Sequence, residues 1–249
     1  MLKIRVTEKF YSVSGEGISQ GNPSIFIRFW GCNLHCGYDE KTRERKEGTW
    51  QCDSTSSWLY GKEDAKLYED PDELLTDIIL SVPTPANKKA IDIIFTGGEP
   101  LLFINDDILD ILDILHEQFN TIYFETNGTI PINRFKYTLE YVKFNCSPKT
   151  SNSGIPFDKR INIPVLKKIN KISGSCFKFV VSSKKDIEEI LFIIGQVGMD
   201  PLKIYLMPEG QTREEIEKNL LICAEYAIKY GFRVSNRMQV QIWNKTMGV

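Results

Sequence analysis

The chain has 249 residues, 42% of them hydrophobic and 26% charged, enough apolar material to bury a core and too much for a disordered segment. Its 31 basic and 33 acidic residues are interspersed and nearly cancel, to a formal net charge of −2, which argues against a counterion-driven grip on nucleic acid. No stretch approaches the roughly 18 consecutive apolar residues of a membrane span, and the first residues lack the apolar run of a secretory signal, so a cytoplasmic protein is expected.

Residues 1–8 alternate apolar and charged side chains like an opening strand. Further strands are predicted over 24–30, 91–95, 121–125, 141–145, 177–181, 203–207 and 239–243, where β-branched and aromatic residues cluster. Between them, 71–82 carries Leu74, Leu75, Ile78, Ile79 and Val82 at helical spacing, and 108–119, 185–194 and 213–230 follow the same pattern. Thr212 and Glu215 form a capping-box signature before the last of these, and Gly195, Gly198 and Gly231 are expected helix ends. Such alternation predicts one α/β domain over residues 1–249, a parallel sheet or incomplete barrel smaller than an eight-fold one. Its ligands should gather at the carboxyl ends of the strands. The charged stretch 39–48, within an insertion at about 37–51, is expected to be solvated and to form one or two helical turns.

Six cysteines in a reducing compartment are more often thiols or metal ligands than disulfides. Cys32, Cys36 and Cys52 fall within 21 positions, the first two directly after a predicted strand, whereas Cys146, Cys176 and Cys223 are scattered and suit the core. Three soft thiolates with no fourth nearby suit an iron–sulfur cluster that leaves one iron open to a chelating ligand. A zinc site is the alternative, although zinc wants four ligands and His35 is the single nearby candidate; three unconnected buried thiols is the other.

Several short motifs follow predicted strands. Thr96-Gly-Gly-Glu-Pro100 places a glycine pair where a ligand can touch backbone. Glu125-Thr-Asn-Gly-Thr129, Ser147-Pro-Lys149 and Leu206-Met-Pro-Glu209 could each be no more than strand terminators. Arg28 lies among Phe26, Ile27, Phe29 and Trp30; a buried guanidinium wants a planar anion, either a ligand carboxylate or Glu16 in a structural ion pair. Ser54 could be a helix N-cap.

Taken together these motifs resemble the radical S-adenosylmethionine (SAM) superfamily. Cys32-Asn-Leu-His-Cys36 is similar to the start of its CxxxCxxC motif, with Asp39 where the third cysteine usually falls, and Thr96–Pro100 is similar to its GGEP motif. Cys52-Asp53-Ser54 resembles the Cys-Asp-Ser/Thr triplet of the 7-carboxy-7-deazaguanine synthases, giving a C-x3-C-x15-C spacing. Lengthening a loop costs only about 0.6 kcal/mol per doubling, so this spacing is tolerable; Asp39 as third ligand is the alternative, a harder match to iron–sulfur chemistry. The segment 10–17 with Phe26-Ile-Arg28 resembles the same family's signature, with Ser14 in place of a usual Gln.

The resemblance implies a [4Fe-4S] cluster on Cys32, Cys36 and Cys52, and Mg²⁺ on Ser54. It implies SAM contacts from Gly98, Glu99, Glu125, Ser147, Pro148, Lys149, Met207, Pro208 and Glu209. Substrate contacts would come from Val13, Ser14, Gly15, Glu16, Arg28, Thr96 and Val249. The implied reaction is lyase-type: a 5′-deoxyadenosyl radical starts ring contraction of 6-carboxy-5,6,7,8-tetrahydropterin to 7-carboxy-7-deazaguanine with loss of ammonia, on the way to queuosine and related deazapurines. A flavodoxin-like or other one-electron donor, a homodimer and no direct nucleic-acid contact are implied too. A radical SAM activating enzyme acting on a partner protein is the main alternative, and a metal-binding module without activity the third.

Overall fold

The computed structural model describes residues 3–83, 86–135 and 138–244. Nine strands form one sheet in the order β3-β1-β2-β4-β5-β6-β7-β8-β9. Strands β1 (Ile4–Val13) and β3 (Lys66–Tyr68) are antiparallel at one edge. The others run parallel: β2 (Pro23–Phe29), β4 (Asp92–Gly97), β5 (Ile122–Thr126), β6 (Val142–Cys146), β7 (Cys176–Val181), β8 (Ile204–Pro208) and β9 (Arg233–Val234).

The parallel strands are apolar almost throughout because both faces are covered; every residue of β8 is buried. Helices α1 (Pro71–Leu80), α2 (Asp106–Gln118), α3 (Phe157–Arg160), α4 (Ile163–Asn170), α5 (Lys184–Val197) and α6 (Arg213–Tyr230) lie between the strands, with only a 3₁₀ turn, Asn133–Phe135, between β5 and β6 among the described residues. A ladder of aromatic rings ties the middle strands: Phe95 stacks on Phe124 at 5.0 Å, and Phe135 meets Phe124 and Phe144 edge-on at 5.1 and 5.5 Å. Cys146, Cys176 and Cys223 are buried thiols, as their apolar settings imply.

Two expectations are corrected. Residues 239–243 form helix α7 (Met238–Trp243) in place of a strand; the alternation Gln-Val-Gln-Ile-Trp is too short to separate the two periods. The Met238 N–H bonds to the Gly15 carbonyl (3.0 Å), which fixes the segment beside β1. Gly195 lies inside α5, which ends at left-handed Gly198. The stretch 39–48 holds a single helical turn, with the Arg43 N–H bonded to the Asp39 carbonyl (3.1 Å) and Asp39 Oδ1 accepting the Lys41 and Thr42 N–H groups (2.8 and 2.9 Å), and a bridge between Tyr38 and Arg45 closes it. A side-chain oxygen that takes the N–H groups two and three residues on caps such a turn. The Thr212–Glu215 capping box forms as expected.

Phe124 touches three other rings of the ladder and is fully buried. Phe124→Ala should lower unfolding free energy by about 3–5 kcal/mol, read as a lower denaturant midpoint with unchanged slope.

Candidate active site

The carboxyl ends of β2, β4, β5, β6, β7 and β8 enclose a cavity of ≈ 560 Å³. Cys32, Cys36 and Cys52 all line it. Burial pushes the three thiols up, Cys36 to about 12, and Cys32 is raised further by Glu99 and by its two neighbouring cysteines. Buried thiols that would repel one another as thiolates need a cation to ionise, and a bound metal centre supplies it. Among the described residues no group of three or more His, Cys, Asp or Glu side chains is placed to hold a metal ion; the three thiols are soft donors, the type that iron–sulfur clusters take. Asp39, committed to its own turn, does not line the cavity.

The Thr96-Gly-Gly segment joins β4 to the cysteine loop. The Gly98 N–H bonds to Phe29 O (3.0 Å) and the Glu99 N–H to Gly31 O (2.8 Å). A Cβ at Gly98 would sit 2.0 Å from the Gly31 carbonyl oxygen, so only glycine permits this approach. Of the residues expected around SAM, Gly98, Glu125, Ser147, Lys149, Met207, Pro208 and Glu209 line the cavity, while Glu99 and Pro148 do not. The Glu99 carboxylate is fully buried and accepts from Leu101 N, Thr126 Oγ1 and Asn127 N (3.1, 2.8 and 2.7 Å). Burial pushes its pKa up to about 7. Its position serves the joint between β4 and β5.

At the other end Val13, Ser14, Gly15, Glu16, Arg28 and Thr96 line the same space; Val249 lies outside the described residues. Arg28 pairs with Glu8 instead of Glu16: Nε lies 2.9 Å from Glu8 Oε2, and the guanidinium sits 5.4 Å from the Phe10 ring centroid. Arg28 Nη1 donates to Ser54 Oγ (3.4 Å), and Ser54 donates to Asp53 Oδ1 (3.2 Å). Ser54 stands before a short 3₁₀ turn but makes no capping bond, so its oxygen is available to the cavity.

Glu16 has other partners. Lys178 Nζ (2.6 Å), Arg237 Nε (2.9 Å) and Gln239 Nε2 (2.6 Å) all donate to its carboxylate. Arg237 also bonds to Gly210 O (2.6 Å) and to Asp53 Oδ2, while Lys178 reaches Glu125 (3.5 Å), whose other oxygen accepts from Thr96 Oγ1 (2.7 Å). Burial alone would raise the Glu16 pKa, but the Lys178 and Arg237 charges overcome it and hold the carboxyl well below the usual range. Lys178, Arg237 and Gln239 had no role in the sequence reading. Lys178 sits in the apolar run Cys-Phe-Lys-Phe-Val-Val, the signal that singled out Arg28; the strand assigned to 239–243 hid Gln239, and Arg237 lies just before it.

Ionised Glu16 stabilises the fold above the unfolded pKa of about 4.3, because its folded pKa is lower, and that stability is lost as pH falls. Glu16→Gln should therefore cost about 3 kcal/mol near neutrality, and the gap from wild type should shrink as pH drops below 4, measured by denaturation of the metal-free protein across pH.

No protein-family model matches the chain. The 7-carboxy-7-deazaguanine synthase of Clostridium acetobutylicum is 33% identical over 211 residues, 83% of this chain and 82% of that protein. That of Leptospira interrogans is 30% identical over 260 residues, covering 100% and 99%. That of Pyrobaculum aerophilum is 28% identical over 250 residues, covering 99% and 97%. Among solved structures, QueE from Escherichia coli superposes with a TM-score of 0.66 at 23% identity, over 95% of this chain and 94% of that one. Streptococcus suis SuiB bound to S-adenosylmethionine gives 0.50 at 14% identity, over 83% and 48%. These two likenesses speak to the fold, an incomplete α/β barrel of mostly parallel strands. With its carboxyl-end cavity and relatives that match it end to end, the chain belongs to the 7-carboxy-7-deazaguanine synthase family.

Proposed function

We propose that this chain is a radical SAM carbon–nitrogen lyase that converts 6-carboxy-5,6,7,8-tetrahydropterin to 7-carboxy-7-deazaguanine with loss of ammonia. The observation that carries this reading is the shared cavity: three cysteine thiols and a charged set suited to a carboxylated heterocycle open into one ≈ 560 Å³ space, of the size that encloses small ligands. Cys32, Cys36 and Cys52 are the ligands of the [4Fe-4S] cluster, and SAM lies along the ends of β4 to β8, beside Gly98, Glu125, Ser147, Lys149 and 207–209. Cluster and SAM together, once bound, supply the hydrogen-abstracting radical that starts the conversion.

The protein's own residues bind, orient and exclude water. The Arg28 fork takes the substrate carboxylate, and Val13, Ser14 and Gly15 bring backbone close to the ring. Glu16 accepts from the ring's N–H groups while Lys178 and Arg237 keep it ionised. Thr96, fixed by Glu125, contacts the opposite side. Ser54 offers one oxygen to Mg²⁺, which prefers oxygen ligands and keeps several waters; substrate oxygens complete the set. The enzyme is a single domain, works in the cytoplasm, draws its electron from a flavodoxin-like or other one-electron donor and acts as a homodimer. No helix among the described residues is long and apolar enough to cross a membrane.

Anaerobically reconstituted protein, given the pterin, SAM and a one-electron reductant, should release 7-carboxy-7-deazaguanine, identified by mass spectrometry, while SAM is not consumed in proportion. An absence of deazaguanine from cluster-loaded protein overturns the reading. Ser54→Ala should keep full iron content and raise the Mg²⁺ concentration needed for half-maximal rate by tenfold or more, on the order of 1.4 kcal/mol of lost binding.

A further inference from the structure

A buried tryptophan six residues beyond Cys52 is gripped by the loop that carries the other cysteines. Trp58 is 4% exposed, and its Nε1–H donates to Cys52 Sγ at 3.4 Å. The His35 ring stacks on the indole at 4.8 Å and 13°, and Tyr38 meets it edge-on at 5.5 Å. The Arg43 guanidinium lies 5.8 Å from its ring centroid. His35 and Tyr38 flank Cys36, and Arg43 belongs to the insertion between Cys36 and Cys52. Tyr38 also accepts a 2.6 Å hydrogen bond from Gln51, the residue before Cys52. Packing alone would be satisfied by any large ring here; the indole N–H, a donor that must find an acceptor when buried, finds the sulfur.

We propose that Trp58 is a positioning residue for the cluster: its indole N–H donates to the Cys52 sulfur when that sulfur ligates iron, and the bond raises the cluster's reduction potential. The insertion is the clamp that holds the indole in this orientation. The inference rests on the ligand assignment above. Reduction adds negative charge that is shared by the sulfurs, so a fixed N–H donor favours the reduced cluster more than the oxidised one. Seclusion from water strengthens the bond. Cys32 receives its donor from the main chain, Leu34 N at 3.4 Å, whereas Cys52 has, beside the Ser54 main chain, a side-chain donor that can be removed.

Trp58→Phe keeps an aromatic ring and deletes the donor. After anaerobic reconstitution it should bind as much iron as wild type, and an EPR-monitored titration should place its midpoint at a more negative potential. In protein carrying ¹⁵N-indole tryptophan, pulsed EPR of the reduced cluster should show a nitrogen coupling that persists in Trp30→Phe and Trp50→Phe and vanishes in Trp58→Phe. An unchanged midpoint at full iron content overturns the proposal, as does a coupling that another tryptophan supplies. Should Trp58→Phe fail to load, the labelled wild type decides: no indole coupling overturns the proposal, and a coupling that survives Trp30→Phe and Trp50→Phe supports it. Full retention of the cluster in Cys52→Ala is a separate failure, of the ligand assignment itself.

Discussion

A carboxylate buried between two cations organises one end of this protein's cavity. Glu16 is held by Lys178 and Arg237, partners 162 and 221 positions away in the chain. None of the three could be buried alone, since an unpaired charge in a low-dielectric interior costs several kcal/mol. Their pairing therefore fixes where the turn after β1, the strand β7 and the start of α7 meet. Arg237 extends the grip to Asp53, beside Cys52, and Lys178 extends it through Glu125 to Thr96. Segments from both ends and the middle of the chain thus converge on one cavity wall.

The opposite wall is built from sulfur, aromatic rings and close backbone approaches. Gly98 lets β4 touch the loop before Cys32, and Gly37 performs the same service beside Cys36: a Cβ there would lie 2.3 Å from the Trp50 carbonyl oxygen. The insertion therefore folds back on its own start and returns Cys52 to the cavity after 15 intervening residues. The segment is further anchored by the Trp50 indole, which donates to Asn152 Oδ1 (2.8 Å), and by Gly37 N, which bonds to Ser153 O (2.9 Å). The triplet Cys52-Asp53-Ser54 joins the two walls, with its thiol on the sulfur side and its two polar side chains in the charged network.

Much of this was legible in the sequence where local rules act alone. The parallel strands announced themselves as continuous apolar runs, and α6 by its capping box, because each needs only its own residues and two covered faces. The clustering of three cysteines marked one wall of the site, and the lone charge in the β2 run marked Arg28. What the sequence withheld was pairing at long range. Arg28 meets Glu8 across the β1–β2 ladder and not Glu16, a choice set by strand register. The short strands β3 and β9 exist because a neighbour offers hydrogen bonds, and α7 replaces a strand because Gly15 anchors its first turn. Glu99, part of a recognisable motif, proved to be bound to the protein's own backbone.

The proposed cluster would hang on Cys32, Cys36 and Cys52, with Asp39 only shaping the intervening turn. Iron and acid-labile sulfide content of anaerobically reconstituted Cys52→Ala and Asp39→Ala proteins tests it directly. Cys52→Ala should lose the site-bound cluster while Asp39→Ala retains it; loss in Asp39→Ala with retention in Cys52→Ala overturns the ligand assignment.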